Sequence, residues 1–333
     1  MFPSPVFIVG CPRSGTHLLR NLLRSHPNLG FGGETHFVPG FYSMFGDPGS
    51  DREAGKLAEL ILNLQWIRAR GLTLAPGSLA HLRSFAQITD SILGACAQVE
   101  NKPRWMDKTP QYVAHMPLLL KLFPDARFIH IIRDGRDVAL SWLGMGFGPE
   151  NLYTAASQWR DFVSAGLQSA AGMPAGTCIE VRYEQLLRET GAVLREVCDF
   201  IGEPYCEEML TPNPLKLDYF PVRKIFGRPA SHRVRALDPW IDADNLFKWK
   251  SRMSSSGLVL FESVAGELLQ RLGYETDGRR RHISAVERYF WKAHQAVKGS
   301  FKRLNNRNRF KWIWTDLVLL WAEIRNRRKP AQT

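Results

Sequence analysis

Glycine, serine, threonine and arginine crowd one short segment of this 333-residue chain, in an order suited to binding an anion. Phe7-Ile-Val-Gly-Cys-Pro-Arg-Ser-Gly-Thr-His17 carries an apolar run into a Gly/Pro/Ser turn. From Thr16 onward, Leu18, Leu19, Leu22 and Leu23 recur at helical spacing. A strand, a glycine loop and a helix N-terminus bring unpaired backbone N–H groups and the positive end of the helix dipole to one point, where phosphate-like groups bind. Gly10 and Gly15 have the spacing of the nucleoside-triphosphate loop G-x-x-x-x-G-K-[ST]. Thr16 stands at the lysine of that pattern and His17 at the hydroxyl that would hold magnesium. The loop is therefore expected to hold a phosphate-like group without lysine or metal. Arg13 supplies the positive charge.

A second anion element follows. Phe128-Ile-His-Ile-Ile-Arg-Asp-Gly-Arg-Asp-Val-Ala-Leu-Ser141 opens as a buried strand over 126–132. Arg133 sits at its C-terminal end, Gly135 makes the turn, and Asp137 and Ser141 share one face of the next helix. Ligands of open α/β sheets bind at the carboxyl ends of the strands. Arg133 and Ser141 are thus placed to hold one phosphate, and Arg13 with its loop another.

Pro12-Arg-Ser-Gly-Thr16 resembles the 5′-phosphosulfate loop of sulfotransferases that use 3′-phosphoadenosine 5′-phosphosulfate (PAPS), and the Arg133–Ser141 element resembles their 3′-phosphate element. The likeness is to the bacterial and tyrosylprotein branches and covers about residues 4–276. It implies a P-loop-like three-layer α/β/α fold around a central parallel sheet. It further implies that Arg13, Ser14, Gly15, Thr16 and His17 hold the 5′-phosphosulfate, while Arg133 and Ser141 hold the 3′-phosphate. Glu34, in Gly32-Gly-Glu-Thr35, falls where that family keeps an acidic general base, and in-line transfer to a hydroxyl or amine needs a proton acceptor. His36, two residues on in an extended segment, is the other candidate base. Lys108, in Asp107-Lys-Thr-Pro110, falls where a lysine contacts the bridging oxygen of the donor, and Asp107 is read as a capping or orienting residue. Tyr183, in Val181-Arg-Tyr-Glu, falls beside the adenine, where an aromatic face can stack on the base. Ser231 and Lys248 match late nucleotide-contacting positions. Arg228 and Arg233 are candidates to replace the R-K-G-x-x-G loop, which is absent. His17 departs from the family's second threonine but keeps a hydrogen-bonding ring. No metal is required by this chemistry.

Those groups need elements to carry them. The sequence predicts strand, helix and short strand over 5–33 and a Gly/Pro/aromatic loop over 34–50. Residues 51–100 read as mainly helical with a break at 71–77, and Asp107–Pro110 as a turn before a helix from Val113 to Leu122. A strand at 126–132 and a helix at Asp137–Trp142 follow. Then come a helix at 151–171, a strand at Cys178–Arg182 and a helix at Glu184–Ile201. Residues 211–240 read as irregular and 257–272 as an amphipathic helix. This alternation argues for a parallel sheet with right-handed crossovers. The length suffices for one large domain.

Charge divides the chain. The net charge is +12, and residues 277–333 hold 15 Lys/Arg against 4 Asp/Glu, while the rest is nearly neutral. The sequence is accordingly read as a catalytic domain over 1–276 and a basic, aromatic-rich helical extension over 277–333. Tyr289, Phe290, Trp291, Phe301, Phe310, Trp312, Trp314 and Trp321 interleave with Lys and Arg there, a pattern of interfacial membrane contact. The run at 312–322 is too short to span a bilayer of about 30 Å. The five cysteines form no C-x-x-C pair and suggest neither a disulfide framework nor a zinc site. With no leader ahead of the first strand, the expected location is cytoplasmic, drawn to the inner membrane surface by the extension. The expected acceptor is a small molecule, a carbohydrate or a lipid-linked group, and nucleic acid is not expected as a partner. Two rival readings are a P-loop kinase-like phosphotransferase, which lacks its loop lysine, and a non-catalytic membrane or nucleic-acid adaptor acting through the tail.

Overall fold

The computed structural model describes residues 3–145, 148–211 and 245–305. Five parallel strands form one sheet, β1 (Val6–Gly10), β2 (Leu29–Gly33), β3 (Arg104–Asp107), β4 (Arg127–Ile132) and β5 (Cys178–Arg182), in the order β2-β3-β1-β4-β5. Register runs Val6 to Arg127 through Gly10 to Ile131 between β1 and β4. The chain leaves β1 toward β2 on one side and leaves β4 toward β5 on the other. Their adjacent carboxyl ends therefore make the crevice where α/β sheets bind ligands.

Alternation along the strands builds three layers. Phe7, Val9 and Phe128 face one core with Trp105, Tyr112 and the helices α3 (Asp51–Leu62) and α5 (Phe85–Gln98). Val6, Ile8, Ile129 and Ile131 face the other, with α1 (Thr16–Arg24), α9 (Tyr183–Arg188) and α10 (Thr190–Ile201). A third cluster joins Trp142, Trp159 and Phe261 of α7 (Gly135–Leu143), α8 (Leu152–Ala171) and α12 (Ser255–Arg271) to Ile132 at the end of β4. The expected three-layer α/β/α architecture is what forms. A helix, α13 (Ala285–Asn305), follows α12, and residues 306–333 of the extension lie outside the described residues. All five cysteines are free thiols.

Three expectations need correction. The segment read as a loop at 34–50 contains α2 (Val38–Phe45). Its Pro39 falls in the first turn, where no N–H is lost, and Phe37, Phe41 and Phe45 repeat every four residues. The strand β3 was not expected, because its four residues begin and end on charges. Arg104 is nonetheless buried, bonded to Ser4, the Ile201 carbonyl and Glu203. The helix expected over Glu184–Ile201 is two, broken at Glu189, and Thr190 turns its hydroxyl back to the Leu186 carbonyl at 2.7 Å. The other α-helices of the described residues are α4 (Gln65–Arg68), α6 (Met116–Leu122) and, before α12, α11 (Trp249–Arg252).

Candidate active site

The loop after β1 is held open by backbone geometry. Arg13 (φ 75) and Gly15 (φ 95) are left-handed, and Gly15 caps α1. A Cβ at Gly15 would collide with the edge of the Tyr183 ring at Cδ2, so glycine is required for space as well as for φ. The first turn of α1, Thr16 and His17 onward, has no acidic residue and no side-chain cap, which leaves its positive dipole end facing the crevice. The Ser14 hydroxyl is buried there without a hydrogen-bond partner among the described residues.

The second anion element meets the first. Arg13 Nε donates to Ser141 Oγ at 3.1 Å, and Arg133 Nη1 donates to the Arg13 carbonyl at 3.4 Å. The Arg133 guanidinium lies over the Tyr183 ring at 4.3 Å and reaches Asp137 at 3.7 Å. Its Nε is buried without a partner among the described residues, an arrangement that fits an incoming anion. Tyr183 opens α9 and is wedged between Gly15 and Arg133. Lys248 joins through an intermediary that sequence reasoning missed. Asn245 accepts from Lys248 Nζ on its side chain and from Arg133 Nη2 on its carbonyl, each at 2.6 Å. No motif marks Asn245, so only the fold reveals it. Ser231, Arg228 and Arg233 lie outside the described residues.

A cluster of basic groups surrounds one carboxylate at the end of β2. Lys108 Nζ donates to Glu34 Oε1, His17 Nε2 lies 3.5 Å from the same oxygen, and His36 Nε2 lies 3.2 Å from Oε2. Lys108 Nζ and His17 Nε2 are 3.2 Å apart. The Lys108 side chain is only 1% exposed while that of Glu34 is 35% exposed, so the ammonium forms the floor and the carboxylate faces the crevice. Glu34 and His36 meet as expected, although His36 is left-handed (φ 50) rather than extended.

Asp107, read from the sequence as a capping or orienting residue, is bonded to the backbone beside this cluster. Its Oδ2 accepts from the Thr35 N–H at 3.0 Å, and the Thr35 hydroxyl meets Tyr112 Oη at 2.6 Å. Tyr112 Oη also accepts from the Val38 N–H at 3.1 Å, tying α2 to the same point. Burial pushes the Asp107 carboxyl up to about 6 against the opposing bonds from Thr35. Burial likewise lowers the His36 imidazole, with Asp107 working against it. An open cavity of about 370 Å³ adjoins, lined by His36, Pro39, Gly40, Gln111, Tyr112 and His115. A larger cleft of about 760 Å³ lies elsewhere, among Arg182, Arg188, Phe247, Lys250 and Tyr274, and holds none of these site residues.

Comparison with known proteins places the chain among relatives of one family. Residues 5–207 match the profile of the sulfotransferase family. The chain is 26% identical over 277 residues to protein-tyrosine sulfotransferase A of Caenorhabditis elegans, covering 81% of this chain and 67% of that protein. It is 26% identical over 288 residues to protein-tyrosine sulfotransferase 1 of Danio rerio, covering 81% and 72%. Among solved structures, the sulfotransferase domain of the Synechococcus PCC 7002 olefin synthase shares the fold. It superposes with a TM-score of 0.56 at 24% identity, over 82% of this chain and 96% of that one.

Proposed function

The chain belongs to the sulfotransferase family, and on that premise we propose that it moves a sulfuryl group from PAPS to an acceptor hydroxyl with Glu34 as the base. The observation that carries this reading is the meeting of the two anion elements at Arg13 and Ser141, beside a carboxylate ringed by Lys108, His17 and His36.

The residues present fit the donor. Ser14 Oγ and Arg133 Nε are buried polar atoms in need of partners, and an anion at the α1 N-terminus would supply them. Arg13 through His17 would hold the 5′-phosphosulfate, and Arg133 with Ser141 the 3′-phosphate, with Lys248 reaching in through Asn245. Tyr183, buried with the Arg133 guanidinium over its ring, would hold that guanidinium in place beside the nucleotide. PAPS supplies an activated sulfuryl group on a good leaving oxygen. Lys108 places a buried cation where negative charge gathers on that oxygen, and His17 offers a hydrogen bond to the group in transit. Glu34 takes the acceptor's proton while His36, on its other oxygen, holds the carboxylate's orientation. The rest is positioning and fixed electrostatics, as for loose phosphoryl-type transition states.

For the acceptor we favour a tyrosine hydroxyl on a polypeptide, because the curated relatives carry that name and the open cavity at His36 admits a side chain from outside. Sugar and lipid-linked hydroxyls are the other acceptors to try. A kinase-like reaction lacks its loop lysine, since Lys108 reaches the crevice from the end of β3 and pairs with Glu34.

The test is transfer of labelled sulfuryl from PAPS to a tyrosine peptide, a simple phenol and an oligosaccharide. Wild type should label one class. Glu34→Gln should bind 3′-phosphoadenosine 5′-phosphate (PAP) normally and lose roughly 10²–10⁴-fold in turnover. Loss of PAP binding in a folded Glu34→Gln protein would make Glu34 a binding residue instead.

A further inference from the structure

Helix α13 carries an apolar stripe that nothing among the described residues covers. Among the described residues five large apolar side chains are exposed, and four of them lie on this one helix: Val286 (80%), Tyr289 (76%), Phe290 (56%) and Val297 (56%). Residues 286, 290, 293 and 297 follow the i, i+4, i+7, i+11 rule and so fall on one side of the helix. A different side is docked. The Trp291 carbonyl accepts from Asn151 Nδ2 at 3.0 Å, and Gln295 accepts from the Glu150 N–H at 2.6 Å and donates to the Gly148 carbonyl at 3.2 Å. The helix is therefore fixed against the start of α8, with its apolar stripe turned away from the anchoring contacts.

Charge selects the occupant. Arg288, Lys292 and Lys298 are exposed along the same helix, while its acidic Glu287 is already paired with Arg281. A second copy of this chain would bring a segment of the same sign, since residues 277–333 hold 15 Lys/Arg against 4 Asp/Glu. The chain's own residues 306–333 hold seven Lys/Arg against two Asp/Glu, again of the same sign. Anionic phospholipid complements both features, taking the apolar side chains at the acyl boundary and the cations among the headgroups. No described helix is long and apolar enough to cross a membrane.

We propose that α13 docks the enzyme onto an anionic lipid surface, lying in the interface with Val286, Tyr289, Phe290 and Val297 inserted and Lys292 and Lys298, which flank that stripe, on the headgroups. This is independent of the reaction proposed above, because the helix contributes no residue to the crevice.

The experiment is flotation of the full chain with phosphatidylcholine vesicles, with and without phosphatidylserine. The chain should float with the anionic vesicles and be released by high salt. Phe290→Glu with Val297→Glu, and separately Lys292→Glu with Lys298→Glu, should each lower the bound fraction about tenfold or more. Both variants should keep the wild-type thermal midpoint and PAP binding. The proposal is overturned if wild type does not float, or floats equally with neutral vesicles. It is also overturned if either double variant floats as well as wild type. A lowered thermal midpoint in the Phe290→Glu/Val297→Glu variant would overturn it by showing that the chain itself covers the stripe. A changed sedimentation mass for that variant would overturn it in favour of a second copy.

Discussion

Arg13 Nε donates to Ser141 Oγ at 3.1 Å, so the glycine loop after β1 and the last turn of α7 touch although they lie 128 positions apart. The two segments proposed to hold the phosphates are thereby in contact. Ser141→Ala removes a hydroxyl that a phosphate and Arg13 would share. A hydrogen bond to a charged group contributes about 1.5–3 kcal/mol, so PAP affinity should fall roughly 10- to 100-fold with folding intact. Calorimetric titration checks this, and unchanged affinity would remove Ser141 from the phosphate site.

Gly15→Ala tests the loop itself. The new methyl must displace the Tyr183 ring while the backbone stays left-handed. Overpacking and a left-handed non-glycine residue together should cost about 2–4 kcal/mol. Urea unfolding reads that loss, and a change below about 1 kcal/mol would mean that Tyr183 moves aside freely.

Asp107 gives a pH signature. Its buried carboxyl titrates near 6 against an ordinary 3.8. The folded protein thus binds the proton more tightly than the unfolded chain, and stability contributed by this group falls as pH rises from about 4 to about 6. The cost of the ionised form at neutral pH is of order 3 kcal/mol. Asp107→Asn keeps an acceptor for the Thr35 N–H and cannot titrate. Its unfolding free energy should hold level across that window where wild type declines. Parallel curves would show that Asp107 titrates at its ordinary value.

Arg136 holds α7, and with it Ser141, in place. It is buried between Asp134 at 2.8 Å and Glu262 at 2.9 Å, with the Trp249 ring 3.5 Å from its guanidinium. Arg136→Met leaves two buried carboxylates unpaired and should destabilise by about 3–5 kcal/mol. Adding Glu262→Gln should recover part of that loss in the same urea measurement. If the second change makes matters worse, the three groups do not act as one network.

Most of the fold, and the residues that meet at the carboxyl ends of β1 and β4, were legible in the sequence, because glycine turns, apolar runs and helix periodicity are local signals. Gly10, Gly15 and Gly135 mark where the chain must turn or be crowded, and Arg13, Arg133 and Ser141 follow at fixed offsets. β3 was hidden because its inward-facing Arg104 and Asp107 look like surface charges until their partners on distant segments are known. α2 was hidden by Pro39 and Gly40, although Phe37, Phe41 and Phe45 carried its period. Asn245 was invisible because its role is to join Arg133 to Lys248, a relationship between segments rather than a motif. The carboxylate cluster was half legible: Glu34, His36 and Lys108 were each named, but their convergence with His17 arises from the packing of β2 beside β3 and the start of α1.

The most direct measurement is titration of PAP into the full chain and into Arg133→Ala, without added metal, followed by calorimetry. The nucleotide reading requires micromolar-range binding by wild type and at least a tenfold loss in a variant that keeps its thermal midpoint. Absence of binding to folded wild type, or equal binding by Arg133→Ala, would contradict it.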